Sequence, residues 1–241
     1  MLSNATGEIW LTARCPFRDD FEHHIREHSC GFDREARVPC VSGCPAHVDI
    51  PGYISLVEAG RYADAVKVIR KNNPLPLVCG LVCEHPCEAQ CRRRMVDDAV
   101  NICGLKRFAV DHAAPAAPPE RAADTGKTVA VIGGGPGGMT AAYYLSLMGH
   151  QVTVYEQRPK LGGMLRYGIP DYRLPQEILD RDIDHILSAG VRVHTGVSIG
   201  RDLTMEDIQK SFDAVYIAIG AHNDKKLGLE GEDSQNVISA V

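Results

Sequence analysis

The sequence predicts an α/β protein in two parts: a small, cysteine-rich α-helical domain, then a Rossmann-like, doubly wound domain on a parallel sheet. Three observations carry this expectation. Nine cysteines occur in 241 residues, and six lie between Cys40 and Cys91, as C-x3-C and then four evenly spaced positions at Cys79, Cys83, Cys87 and Cys91. Residues 113–126, AAPAAPPERAADTG, replace periodic apolar patterning with alanine, proline and small polar residues, the composition of a linker. Beyond it the pattern alternates strand, helix, strand, as parallel βαβ units do. The expected division is therefore 1–112, a linker at 113–126, and 127–241, a length suited to two small domains.

Before the linker, Pro51 opens a short helix ending near Gly60. Tyr62, Ala65, Val66 and Ile69 place an apolar stripe on a second helix running to about Asn72, and a third runs from about Ala99 to His112. So few apolar residues make a thin core, of the kind a metal centre commonly supports. After the linker, TVAVI (128–132) reads as a strand and GGGPGG as a turn. Ala141, Ala142, Leu145 and Met148 fall on one helical face, Gly149 terminates that helix, and VTVYE (152–156) is the second strand. A helix from Pro175 turns Ile178, Leu179, Ile183, Ile186 and Leu187 to its buried side, and Gly190 precedes the strand VRVHT. Thr204 with Asp207 forms a capping pair, and DAVYIAIG (213–220) reads as a buried strand.

Composition excludes several classes. A disulfide scaffold belongs to small secreted domains, whereas MLSNATGEIW lacks a basic n-region and a continuous apolar h-region. No apolar stretch is long enough to span a bilayer, so the expectation is a cytoplasmic protein with reduced thiols that bind metal or do redox chemistry. A formal net charge of −5 argues against a nucleic-acid partner. Arg92, Arg93 and Arg94 read as a solvated or charge-compensating patch that an acidic redox partner would also fit, and His24 with His28 as a solvated helix face.

The loop Gly133-x-Gly135-x-x-Gly138 follows a strand and opens a helix. Gly133 permits the turn, Gly135 lets backbone approach a pyrophosphate, and Gly138 lets helix and strand close together, while the helix N-terminus offers N–H groups to the negative charge. Glu156, at the tip of the next strand, is placed to accept hydrogen bonds from ribose hydroxyls and to repel a 2′-phosphate. NAD and FAD both satisfy this fingerprint.

The motifs CVSGCPAHVDIPGYI, NPLPLVCGLVCEHPCEAQC, VNICGLKRFAVD, VIGGGPGGMTAAYYL, GIPDYRLP and AIGAHNDKKLGLEGED resemble the glutamate synthase small-subunit family, which also takes in the N-terminal half of dihydropyrimidine dehydrogenase and the large subunit of NADH-dependent ferredoxin:NADP oxidoreductase. The resemblance runs from about Cys40 to the C-terminus. It implies that the dinucleotide site holds FAD, with Gly133, Gly135, Pro136, Gly137 and Gly138 at the pyrophosphate loop and Glu156 at the ribose. Gly163, Leu165 and Arg173 then lie towards the ribityl and flavin side, Val197 near the adenine and Gly220 at a strand end.

For the cysteines, the resemblance implies two 4Fe–4S clusters with interleaved ligands, since soft thiolates suit iron–sulfur centres. It assigns Cys44, Cys83 and Cys87 to one cluster and Cys40 and Cys91 to the other. The family commonly places two more cysteines close before the Cys40 position, whereas this chain has Cys30 and Cys15; where a Gln or Glu often completes a cluster, it has Lys106. Cys103 lies three residues before Lys106 on the same helical face. The expected sets are Cys15, Cys30, Cys40 and Cys91, and Cys44, Cys83, Cys87 and Cys103, with Cys79 left over. Zinc is the competing metal, but its short C-x2-C knuckles are missing. Pro86 breaks any single helix through Cys79–Cys91.

No second G-x-G-x-x-G occurs in the 241 residues, whereas the family carries one for NAD(P)H. The resemblance therefore implies an iron–sulfur flavoprotein subunit or fragment passing electrons between FAD and a redox partner, with other subunits supplying a nicotinamide site or an acceptor in a hetero-oligomer. The alternatives are a shortened NAD(P)H-dependent or bifurcating oxidoreductase, and a non-catalytic assembly module.

Overall fold

The computed structural model describes residues 38–114, 117–221, 228–232 and 234–235, and the backbone of Leu2–Ser3 and Ile9–Trp10, which pair antiparallel. Cys15, Cys30, His24 and His28 lie outside the described residues. In chain order the helices are α1 (Pro39–Ser42), α2 (Ile50–Glu58), α3 (Tyr62–Arg70), α4 (Pro76–Val82), α5 (Pro86–Ala89), α6 (Ile102–His112), α7 (Pro136–Leu147), α8 (Met164–Tyr167), α9 (Gln176–Leu187) and α10 (Met205–Ser211). The strands are β1 (Thr128–Ile132), β2 (Gln151–Glu156), β3 (Arg192–Thr195) and β4 (Ala214–Ile217). None of the described helices is long and apolar enough to cross a membrane.

The chain divides into two compact units, Met1–His47 with Pro86–Val100, and Val48–His85 with Asn101–Val241. In the first, α1 packs on α5, and a Cβ on Gly43 would come within 2.9 Å of the Gln90 side chain. The second holds α2, α3, α4 and α6 together with the whole sheet. Its borders differ from a cut at 113–126, because α4 shares a core with the sheet and Arg121 fastens the segment before β1. The Arg121 guanidinium donates to the carbonyls of Ser146 (3.0 Å) and His150 (3.2 Å) at the end of α7.

Strand order is β3-β2-β1-β4, every pair parallel, with Val129 opposite both Val152 and Ala214. This order is that of a doubly wound sheet growing outward from its first strand. Val131, Val152 and Val154 meet Met139, Ala142 and Tyr143 of α7, Leu179, Ile183 and Ile186 of α9, and Leu75 and Val78 at α4.

Local chemistry explains the borders. Asp49 caps α2 by accepting from Gly52 N (3.1 Å), and Asn101 caps α6 by accepting from Gly104 N (2.9 Å), so α6 begins later than Ala99. The Thr204–Asp207 capping box forms as expected. Two expectations are corrected. The buried face of α7 is Met139, Ala142, Tyr143 and Ser146, leaving Met148 58% exposed, because Gly138 rather than Ala141 meets the strand. Strand β4 is not buried: it lies at the edge of the sheet, and Ile217 is 59% exposed.

One buried carboxylate ties α9 to α4. Asp182 has no exposed surface, and its Oδ2 accepts from Val78 N at 3.0 Å. Helix α4 has no capping side chain at its own N-cap, Leu75, so Asp182 caps it from another element. Asp182 Oδ1 lies 4.0 Å from the Arg70 guanidinium, and neither Oδ1 nor Arg70 Nε has a hydrogen-bond partner. Burial outweighs the backbone donors and Arg70, pushing the Asp182 carboxyl up to about 7, while burial and Arg70 push the neighbouring His185 down to about 4.

These shifts oppose each other. Native Asp182 keeps its proton up to about pH 7, so the stability it gives is lost as pH rises; native His185 resists protonation, so its contribution grows as pH rises from about 4 to 6.5. Urea denaturation should therefore find the Asp182→Asn variant gaining stability with pH across that window relative to the flatter wild type, whereas parallel profiles would contradict the assignment. Asp182→Ala, which leaves the Val78 N–H buried without its acceptor, should cost about 2 kcal/mol.

Candidate functional site

The glycine loop is built by close backbone approaches. A Cβ on Gly133, whose φ is 108°, would meet the Ala218 carbonyl at 2.3 Å, and one on Gly138 would meet the Gly133 carbonyl at 1.9 Å. Gly135 and Gly137 are different. A Cβ on Gly135 would find only Gly163 Cα, at 3.8 Å, and one on Gly137 would meet nothing within 4 Å. These two glycines leave open space before the first turn of α7, whose N-terminus carries no side-chain cap and begins with Pro136. Free N–H groups, a positive helix end and no Cβ in the way make a cradle for a phosphate.

Glu156 closes the loop from the tip of β2. It is 6% exposed; Oε2 accepts from Gly134 N at 2.7 Å and Oε1 from Arg158 N at 2.8 Å. Each carboxylate oxygen retains a lone pair, so this group can hold the loop and still accept from a ligand hydroxyl. Its carbonyl accepts from Val197 N (3.0 Å), which brings Val197 to the same corner.

The following segment lies on the loop. Gly162 N donates to the Gly134 carbonyl at 2.8 Å, and a Cβ on Gly163 would stand 2.7 Å from Gly135 Cα. Arg166, whose side chain is only 5% exposed, clamps this segment: it donates to the Leu161 carbonyl and to Gln176 Oε1, each at 2.5 Å, and pairs with Asp180. Sequence reasoning assigned Arg166 no role. Its position inside GGMLRYGIP was visible, but its burial was not.

Gly133, Gly135, Pro136, Gly137, Gly138, Glu156, Gly163 and Val197 thus gather around one loop, with Gly220 (φ 68°) two residues past the Ala218 carbonyl that Gly133 approaches. Leu165 is partly buried against the core. Arg173 is half exposed, and its guanidinium lies 4.0 Å from Glu84 beside Cys83.

The seven described cysteines are in no disulfide. In the first unit, Cys40 and Cys44 lie on α1, Cys87 on α5 and Cys91 beyond it; burial pushes the Cys40 thiol up, and the charges of Cys91 and Cys44 add to this. In the second, Cys79 lies on α4, Cys83 at its C-cap and Cys103 on α6. Cys103 Sγ lies 3.7 Å from the Cys79 carbonyl, and Cys83 Sγ accepts from His85 N at 3.3 Å. Burial pushes the Cys79 thiol up, and Lys106 opposes that. His85, at φ 40°, marks the break between α4 and α5 that Pro86 requires. Among the described residues no group of three or more His, Cys, Asp or Glu side chains forms a metal-holding set. As soft donors, these thiols in their thiolate form fit iron–sulfur clusters or zinc.

The loop geometry separates folding from binding. Gly138→Ala should unfold or strongly destabilise the protein, whereas Gly137→Ala should melt within a few degrees of wild type yet lose dinucleotide affinity, because its new methyl fills the cradle alone. Equal melting losses in both variants would contradict the geometry. Glu156→Ala, which orphans two backbone N–H groups, should cost about 2 kcal/mol even without ligand.

Comparison with known proteins divides the chain near residues 117–131. Residues 13–117 match a family model described as dihydropyrimidine dehydrogenase domain II, 4Fe-4S cluster, and residues 131–203 match an NAD(P)-binding Rossmann-like domain. The chain is 46% identical over 233 residues to the NADPH-Fe(3+) oxidoreductase subunit beta of Geobacter sulfurreducens, covering 90% of this chain and 34% of that protein. It is 42% identical to the NADP(+)-dependent formate dehydrogenase subunit beta of Moorella thermoacetica (81% and 31% covered) and 38% identical to the NADPH glutamate synthase small chain of Bacillus subtilis (83% and 41%). The chain spans about a third of the length of the first two relatives. The cysteine-bearing helices, the glycine loop and these relatives agree: over the part they share, the chain is similar to iron–sulfur oxidoreductase subunits such as the glutamate synthase small chain.

Proposed function

We propose that the chain is an electron-transfer part of an iron–sulfur flavoenzyme, with FAD in the cradle at α7 and two 4Fe–4S clusters on the cysteines. One observation carries this reading: α4, which leads into Cys83, is seated through Leu75 and Val78 in the same apolar core as β1, β2 and α7. Thiolate-bearing backbone and dinucleotide cradle are then parts of one packed framework, as electron transfer between two cofactors requires.

In this reading the α7 N-terminus and the open faces of Gly135 and Gly137 hold the pyrophosphate, and Glu156 accepts from the ribose. Gly163 and Leu165 border the ribityl side, and Val197 and Gly220 complete the walls. Arg173, whose guanidinium lies 4.0 Å from Glu84, is the proposed cation on the flavin side. The flavin, when bound, exchanges two electrons on one side and one at a time on the other. The chain's own task is to hold it, exclude water and tune potentials through burial.

The cluster ligands proposed from the motifs are Cys44, Cys83, Cys87 and Cys103 for one, and Cys15, Cys30, Cys40 and Cys91 for the other. The relatives named as NADPH- or NADP(+)-dependent subunits support a nicotinamide donor or acceptor. We place its site outside these 241 residues, in cis or on another subunit of a hetero-oligomer, because a single glycine loop is present. A cytoplasmic location, which keeps the thiols reduced, belongs to the same proposal.

Two measurements test this. Cys83→Ser or Cys87→Ser should remove about half of the bound iron, and Cys79→Ser little of it; unchanged iron in the first two overturns the ligand sets. Dithionite should bleach the chromophores of the isolated 241-residue polypeptide, while NADPH should not do so rapidly. Fast bleaching by NADPH would mean that the single loop is a nicotinamide site.

A further inference from the structure

Arg158 stands two residues beyond Glu156, past the carboxyl end of β2. Its backbone is fixed on both sides: its N–H donates to Glu156 Oε1 at 2.8 Å, and its carbonyl accepts from Gly196 N at 3.1 Å. Its side chain lies over the Tyr167 ring, with the guanidinium carbon 4.5 Å from the ring centroid. Tyr167 is itself anchored, since its hydroxyl accepts from Lys160 N at 3.2 Å and lies 3.3 Å from the Lys160 carbonyl. Yet Arg158 Nε is buried without a hydrogen-bond partner, and the guanidinium makes no ion pair among the described residues. The side chain is therefore held by the Tyr167 ring and by no acceptor among the described residues.

The dinucleotide cradle supplies a candidate partner. A cofactor with its pyrophosphate at α7 and its adenosine ribose on Glu156 continues, on the ribose's other side, past the tip of β2, where Arg158 and Val197 stand. A guanidinium is planar and weakly hydrated, so it stacks on an aromatic face in a way that an ammonium does not.

We propose that Arg158, backed by Tyr167, is a specificity-determining residue that grips the adenine of an ADP-containing cofactor by stacking. The adjacent Glu156 carboxylate disfavours a 2′-phosphate there, so the arginine reads the base and not a phosphate. This rests on the dinucleotide reading of the site, but not on which nucleotide half carries the redox chemistry.

Titration calorimetry with FAD, ADP and adenosine 2′,5′-bisphosphate on the wild type, Arg158→Ala and Arg158→Lys tests it. The wild type should bind FAD and ADP and discriminate against the bisphosphate. Arg158→Ala should weaken FAD and ADP alike by about tenfold, with the visible spectrum of bound flavin and the melting temperature of the ligand-free protein unchanged. Arg158→Lys should recover little of the loss, and it supplies the reading if Arg158→Ala does not fold.

An ADP affinity unchanged in both variants, full recovery by lysine, or a loss confined to the bisphosphate overturns the assignment. A wild type that binds neither FAD nor ADP overturns instead the dinucleotide reading on which it rests.

Discussion

The carboxylate of Asp182 has no exposed surface, yet three elements meet through it. From α9 it caps α4, whose own N-cap offers no side chain, and it faces the buried guanidinium of Arg70 on α3. A buried carboxylate is costly, and here the cost is offset by backbone donors, a nearby cation and retention of a proton to about pH 7. The consequence is positional. The helix leading into Cys83 is fixed to a helix of the dinucleotide fold by a directional hydrogen bond as well as by apolar contact, so the register between thiol and cradle is set.

Glu156 performs a comparable task within the cradle. A ribose-binding carboxylate is usually considered for its ligand alone, but both oxygens here also accept from backbone N–H groups, one in the glycine loop and one beyond the strand. Loop shape and, in the proposed reading, ribose recognition therefore depend on one side chain. Arg166 plays the supporting part on the other side, holding the Gly162–Gly163 turn against Gly134 and Gly135 from a buried position.

Much of this was legible in the sequence, because it depends on local chemistry. The βαβ alternation, the glycine loop answered by Glu156, the Thr204–Asp207 box and the break at Pro86 each follow from residues close together in the chain. What was not legible depends on distant partners. Asp182 reads as a polar position on an amphipathic helix, and only the arrival of α4, 104 residues away, makes it a cap. The rotation of the α7 face towards Met139 and Tyr143 is set by how closely Gly138 approaches β1, and the exposure of β4 by its place at the sheet edge. The cysteine spacing indicates soft-metal chemistry, but not which thiols share a centre, because Cys44 and Cys87 fold into one unit and Cys83 and Cys103 into the other.

The central claim is that this chain carries flavin and iron–sulfur chemistry together. It is tested most directly by quantifying iron, acid-labile sulfide, zinc and flavin in protein purified without oxygen, alongside the visible spectrum. The account predicts about eight iron and eight sulfide per chain, about one FAD, flavin bands over a broad iron–sulfur shoulder, and no stoichiometric zinc. Colourless protein that binds zinc on its thiols, or remains folded without metal and flavin, would contradict it.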